Sequence, residues 1–224
     1  MLYTLEAVRD NLRTRDGKRV FFLGDGDRLT DAAKDFLKAQ NIPILPAAQA
    51  KISRYVSPDG GSFEEKPEHL TQLTGNLLVP KTHPRIRFRG KLDSLEAELL
   101  LTIQDLPAQK AALTEILDCV RRILRCEVLE EPFVEEPLCG LTQQQQRQRS
   151  QLPQKYFGIA HFMPQSGDTR EILELNRLRA HIREAELAAA EAFGRERTDL
   201  LRALNRLSSL VYILMLQCKG RERP

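Results

Sequence analysis

From Thr82 to the C-terminus, apolar residues recur every three or four positions and no strand-like alternation breaks the pattern. A chain patterned this way has to bury helix faces against one another. Pro84 opens a helix predicted to reach about Ile103, and Pro107 opens a second to about Leu129 with the stripe Leu113, Ile116, Val120, Ile123. The Gln-rich stretch from Leu141 to Gln151 is a weaker helix whose glutamines serve solvation rather than chemistry. Asp168 with Glu171 three residues on announces a long helix ending at Gly194, and Thr198 caps a last one carrying Leu200, Leu204, Leu207, Val211 and Leu214. Four strong helices and one weak one, joined by short loops, predict a mainly all-α fold built as a helical bundle.

The first 48 residues alternate instead. Leu5 to Leu12 is a predicted helix, Arg19 to Leu23 a strand, Asp31 to Gln40 a helix capped by Thr30, and Ile42 to Leu45 a second strand. Residues 1–48 therefore form a small α/β extension. Residues 49–70, with Pro58, Asp59, Gly60, Gly61 and Pro67, make a linker or exposed loop, and residues 71–224 form the helical domain. The turn Gly24, Asp25, Gly26 lacks the Lys-Ser/Thr of a phosphate loop and is a connector.

The chain is 224 residues long, enough to bury a core without disulfides or a structural metal. No run of 18 apolar residues exists, and MLYTLEAVRDNL has neither the apolar stretch nor the cleavage site of a signal peptide, so the expected location is the cytoplasm. A net charge of +3 is too mild for a committed nucleic-acid binder. Cys119, Cys126, Cys139 and Cys218 form no CxxC pair, and His69, His83, His161 and His181 show no ligand spacing. The cysteines read as reduced, mostly buried thiols.

The informative charges fall on core stripes. At heptad spacing the Asp168 helix points Ile172, Leu175, Arg179, Ile182, Glu186, Ala189 and Phe193 inward, with Arg183 one turn after Arg179 on the adjoining edge. A buried arginine needs a carboxylate partner, an anionic ligand, or both. The first bundle helix carries Leu92, Glu96, Leu99 and Ile103 inward with Asp93 at the boundary, which makes Asp93 the expected partner of Arg179. Lys81, Arg85, Arg87, Arg89 and Lys91 crowd that helix's start against the macrodipole, a conflict an anion such as polyphosphate would offset.

These residues carry a resemblance. KTHPRIRFRGKLDSLEAE, from Lys81, is similar to the Lys-Asp-x-Pro and Gly-x-x-Asp-x-Leu segment of the ATP:cob(I)alamin adenosyltransferases, with Lys81 and Asp93 at the family's spacing. RAHIREAE, from Arg179, resembles the family's Arg-x-x-x-Arg-x-x-Glu helix, and ALNRLSSLVYILM, from Ala203, its Leu-Asn-Arg-Leu-Ser helix. The N-terminal unit and LTQLTGNLLVPK look most like the ethanolamine-utilisation branch, related to the propanediol-utilisation type. The resemblance implies a five-helix bundle with active sites between subunits of a homo-oligomer, a trimer or a dimer.

Carried over by position, Asp93 and Arg179 would form a salt bridge at the nucleotide site. Lys81, Arg183 and Asn205 would contact ATP, Glu186 would support the arginines, and Arg206 follows as a further contact. Where propanediol-type relatives have a Gly- and Thr-rich phosphate segment, this chain has Thr71, Thr74, Gly75 and Asn76. Some ethanolamine-branch members hold a His and Cys metal cluster ahead of the bundle; residues 49–70 contain no cysteine, so no bound metal is expected there. In GIAHFMP, Phe162 and its neighbour His161 stand where relatives place an apolar wall against the corrinoid.

The implied reaction makes adenosylcobalamin from ATP and cob(I)alamin, with Mg²⁺ sharing the triphosphate's charge. The implied partners are a cobalamin reductase and ethanolamine ammonia-lyase, in a bacterial microcompartment, with no nucleic acid and no membrane. The residues alone also admit a noncatalytic helical adaptor of a metabolic compartment, or a nucleotide-binding transferase acting on another substrate.

Overall fold

The computed structural model describes residues 1–15, 18–49 and 55–221, which divide into two compact units, residues 1–83 and 84–224. In the first, α1 (Leu5–Asp10) and α2 (Asp31–Ala39) are capped by the side chains of Thr4 and Thr30, which accept from Ala7 and Ala33 amides. Strands β1 (Leu2–Tyr3) and β4 (Arg28–Leu29) pair in parallel. Strands β2 (Arg13–Arg15), β3 (Lys18–Leu23) and β5 (Ile44–Pro46) form a sheet in the order β2-β3-β5. The β3 to β5 pairing is parallel, as a crossover through α2 requires. Val8, Leu12, Phe21, Leu29, Ala33, Leu37 and Ile42 form this unit's core.

The stretch expected as linker or loop carries β6 (Tyr55–Val56) and β7 (Ser62–Phe63), and β8 (Leu70–Thr74) and β9 (Leu77–Pro80) follow, in the order β7-β6-β9-β8. Residues 50–54 of that stretch lie outside the described residues. Two-residue strands are too short to show a period. The β8–β9 turn depends on Gly75, at φ 53°, where a Cβ would meet the Leu12 carbonyl oxygen at 2.7 Å. Next to it the buried Asn76 side chain accepts the Thr14 amide, tying the hairpin to β2.

The second unit is helical. It holds α3 (Pro84–Asp105), α4 (Lys110–Val128), α5 (Gln143–Gln151), the short α6 (Pro153–Phe157), α7 (Arg170–Phe193) and α8 (Thr198–Arg221). Helix α3 packs on α4 and α7, α7 packs on α8, and α5 and α6 cover α8. The weak Gln-rich helix forms because Thr142 and Gln145 close a capping box. The box expected from Asp168 and Glu171 does not. Thr169 is the N-cap, with no side-chain bond, while Asp168 accepts the Gln165 amide and pairs with Lys219 at 2.5 Å. No helix among the described residues is long and apolar enough to cross a membrane.

The charged core stripe resolves through a shift of phase. On α7 the buried positions are Ile172, Leu175, Leu178, Ile182, Ala185, Ala189 and Phe193, together with Glu174. Leu178 and Ala185 take the places assigned to Arg179 and Glu186, which move to a half-buried edge. A strict alternation of three and four does not fix which of two adjacent residues faces inward, since a 3.6-residue turn drifts against a seven-residue repeat. On α3, Leu95 likewise replaces Glu96, which pairs with Arg121 at 2.6 Å.

The basic run is met by protein carboxylates. Arg87 pairs with Glu191 and Lys91 with Glu184, each at 2.7 Å, and Lys81 pairs with Glu68 at 3.0 Å. Arg85 and Arg89 both grip Glu127, at 2.6 Å each, near the C-terminus of α4. The dipole conflict is thus offset from within, and polyphosphate is not needed there.

Near the start of α8, Asp199 accepts from Arg197 at 3.0 Å and from the Phe133 amide at 2.8 Å. Burial pushes this carboxyl's pKa up, but the guanidinium and the backbone donors outweigh it and hold it below the usual range. A depressed native pKa contributes stability that is present above the unfolded value of about 3.9 and is lost as pH falls through the native value. Asp199→Asn should therefore lower the helical unit's melting temperature at pH 7 and converge on wild type below pH 4. A constant difference in acid would reject this.

Candidate active site

Arg179 and Arg183 lie one turn apart on α7 and share an edge. Arg179 directs Nε and Nη2 onto Asn176 Oδ1, at 3.3 and 3.1 Å, leaving Nη1 outside this contact. Desolvation, and then the like charge of Arg183, push its pKa down from the ordinary guanidinium value. Among the described residues neither arginine meets a carboxylate. Asp93 sits exposed on α3 and makes no ion pair among them, so the Arg179 to Asp93 bridge does not form within one chain.

Both arginines line a cavity of about 410 Å³ with Ser150, His161, Phe162, Met163, Ser208, Ser209 and Tyr212. That volume suits part or all of a small ligand. A further wall comes from the segment after α6. Gly158 ends α6 at φ 66°, and the chain runs over α8 through His161 and Phe162 before turning at Asp168. His161 and Phe162 each stack on Tyr212 with centroids 5.9 Å apart. Ser208 and Ser209 return their hydroxyls to the Asn205 carbonyl, so their oxygens can still accept from a ligand.

Glu186 supports Asn205 rather than the arginines: Asn205 Nδ2 donates to Glu186 Oε1 at 2.9 Å. Arg206 in turn donates to Asn205 Oδ1. Its side chain lines a second, water-sized space with Gln143 and Gln146, where Arg206 Nε and Gln146 Oε1 find no hydrogen-bond partner among the described residues. The structure thus gathers Arg179, Arg183, His161 and Phe162 about one cavity and places Arg206 in another. Thr71 and Thr74 lie on β8 and Lys81 just past β9, in the N-terminal unit. Tyr212, Ser208, Ser209 and Asn176 went unassigned in the sequence, though Tyr212 sits seven residues after Asn205, two turns along the same helix face.

The arrangement defines a class: a helical protein with a concave cationic site whose lining is partly aromatic. The model of the cobalamin adenosyltransferase family matches residues 62–218, and the chain belongs to that family. Its curated relatives include the corrinoid adenosyltransferase EutT of Salmonella typhimurium and those of two strains of Escherichia coli, each 35% identical over 158 residues. Each match takes in 68% of this chain and 59% of the relative, so the chain spans about three fifths of the curated relatives' length. No solved structure matches it.

Proposed function

We propose that this chain moves the 5′-deoxyadenosyl group of ATP to cob(I)alamin in ethanolamine utilisation, releasing triphosphate. One observation carries the reading. Two arginines that meet no carboxylate among the described residues share a cavity with an aromatic segment, in a chain of the cobalamin adenosyltransferase family. An adaptor has no use for a half-buried arginine held beside a like charge.

In the proposed reaction cobalt(I) of the substrate attacks the 5′ carbon of ATP. A cobalt to carbon bond forms as the carbon to oxygen bond breaks, and the electron pair leaves on the triphosphate. The nucleophile is strong already, so the protein's part is placement and electrostatics. Arg179 Nη1 and Arg183 would stabilise the charge gathering on triphosphate, and bound anion would in turn relieve the repulsion between them. Asn205, held by Glu186, would orient the nucleotide. Lys81, Thr71, Thr74 and Arg206 are proposed as nucleotide contacts on the resemblance alone.

Among the described residues no group of three His, Cys, Asp or Glu could hold a metal ion, and the cavity lining contains no carboxylate. This donor set does not fit a protein-held Mg²⁺. The ion would arrive on the triphosphate, with phosphate and water oxygens as ligands.

A 410 Å³ cavity is too small for both substrates. We infer that the remaining walls come from a second copy of the chain, whose Asp93 would meet Arg179, in a trimer or dimer built from the five-helix bundle of the family. Cytoplasmic or microcompartment location, a cobalamin reductase and ethanolamine ammonia-lyase belong to the same proposal.

Equilibrium ATP binding followed by a spectral assay with reduced cobalamin tests the reading. ATP should bind, and adenosylcobalamin should form in step with triphosphate. ATP binding without cobalt to carbon bond formation would favour a transferase on another substrate. Phe162→Ala should slow formation of the four-coordinate cobalt(II) species by about tenfold, because the wall that excludes water and the displaced base is lost. An unchanged cobalt(II) spectrum with ATP bound would exclude Phe162.

A further inference from the structure

Residues 159–165 belong to no helix or strand, yet His161 and Phe162 must stand against the cavity if they are to wall it. One side chain of α8 reaches both of them. The Phe162 amide donates to the Tyr212 hydroxyl at 3.2 Å, and His161 Nδ1 lies 3.3 Å from the same hydroxyl. His161 Nε2 lies 3.2 Å from the Gln151 carbonyl oxygen, which can only accept. In the neutral ring the proton is therefore on Nε2, and Nδ1 accepts the Tyr212 proton. The result is a directed chain in which every group is used once: Phe162 amide to Tyr212 hydroxyl, Tyr212 hydroxyl to His161, His161 to the last residue of α5. Both rings stack on the tyrosine as well.

We propose that Tyr212 is a positioning residue of this site, whose hydroxyl locks His161 and Phe162 in place over the Arg179 cavity. The proposal deepens the adenosyltransferase reading, since the part so placed is the wall assigned to the corrinoid. Phenylalanine in place of Tyr212 keeps the stacking surface and removes only the two hydroxyl bonds. One neutral hydrogen bond corresponds to a factor of about ten in an equilibrium. The lock therefore has to appear at the segment and in the corrinoid half-reaction, and not in nucleotide binding.

Two measurements on Tyr212→Phe and wild type test it. Hydrogen exchange should show the Phe162 amide exchanging about tenfold faster in the variant, with α7 and the rest of α8 unchanged. In the coupled assay, kcat and the four-coordinate cobalt(II) fraction should each fall about tenfold, while the KM for ATP stays within twofold. Exchange at Phe162 equal to wild type would overturn the lock. So would faster exchange accompanied by an unchanged cobalt(II) spectrum, since Tyr212 would then be a packing residue only. If wild type itself makes no adenosylcobalamin, the functional reading fails, and the exchange experiment still decides whether Tyr212 anchors the segment.

Discussion

Arg179→Ala should lower kcat/KM for adenosylation by about 10² to 10³-fold while circular dichroism and the melting temperature stay near wild type. The first half follows from what the guanidinium is placed to do. A preorganised donor aimed at charge that develops as the leaving group departs is worth about 2.7–4 kcal/mol. The second half follows from how the side chain is held. Its hydrogen bonds go to Asn176 on its own helix, and the like charge of Arg183 acts on it. Within one chain its removal breaks no ion pair among the described residues, and the Asp93 of a second copy that would meet it is exposed on its own helix, where water solvates the carboxylate. Arg179→Lys should recover part of the rate, because it restores charge but not the planar fork. Wild-type turnover in Arg179→Ala would remove this residue from the mechanism. A folding defect of several kcal/mol would mean that the arginine serves the core after all.

Helix positions were legible from the sequence because apolar period and punctuation agree: Pro84, Pro107, Gly194 and Thr198 lie within three residues of real helix ends. The phase of α7 was not. Arg179 and Leu178 are adjacent, and a periodicity argument cannot say which of the two turns inward until α3 and α8 are in place. The error of phase still led to a residue that lines the cavity, since a half-buried arginine with no carboxylate among the described residues is as informative as a buried one. Partners were harder to read. The sequence placed five cations at the start of α3 but not Glu127, 42 residues beyond Arg85, or Glu184 and Glu191 on α7. The strands β6 to β9 were missed because two to five residues between Pro and Gly punctuation look like loop. The cavity drew on α7, α8 and the segment after α6, and only tertiary packing joins these.

Glu127→Gln should destabilise the helical unit by about 3–5 kcal/mol, the cost of breaking a buried ion pair by removing one partner. Glu127 is 0% exposed, and the two guanidinium groups that grip it are 18% and 16% exposed. One carboxylate oxygen takes Arg85 Nε and the other Arg89 Nε, each at 2.6 Å, while Arg85 also reaches the Glu127 carbonyl at 3.1 Å. Burial alone would lower the pKa of Arg85, but Glu127 outweighs it and raises it, so the cation is held by that carboxylate. Glutamine has the same shape but no charge, and its amide nitrogen would confront guanidinium donors. At about 2–4 °C per kcal/mol for a domain of this size, the helical transition should fall by roughly 6–20 °C. Replacing Arg85, Arg89 and Glu127 together by apolar residues of similar volume separates the cost of stranding charges from the net worth of the triad. That variant should recover most of the loss, since buried triads are often neutral against well-packed apolar substitutes. A Glu127→Gln shift under 2 °C would show that water reaches the site and screens the arginines. None of the three residues lines the Arg179 cavity. Folded Glu127→Gln measured below its transition should therefore turn over at the wild-type rate, separating stability from chemistry within one helical unit.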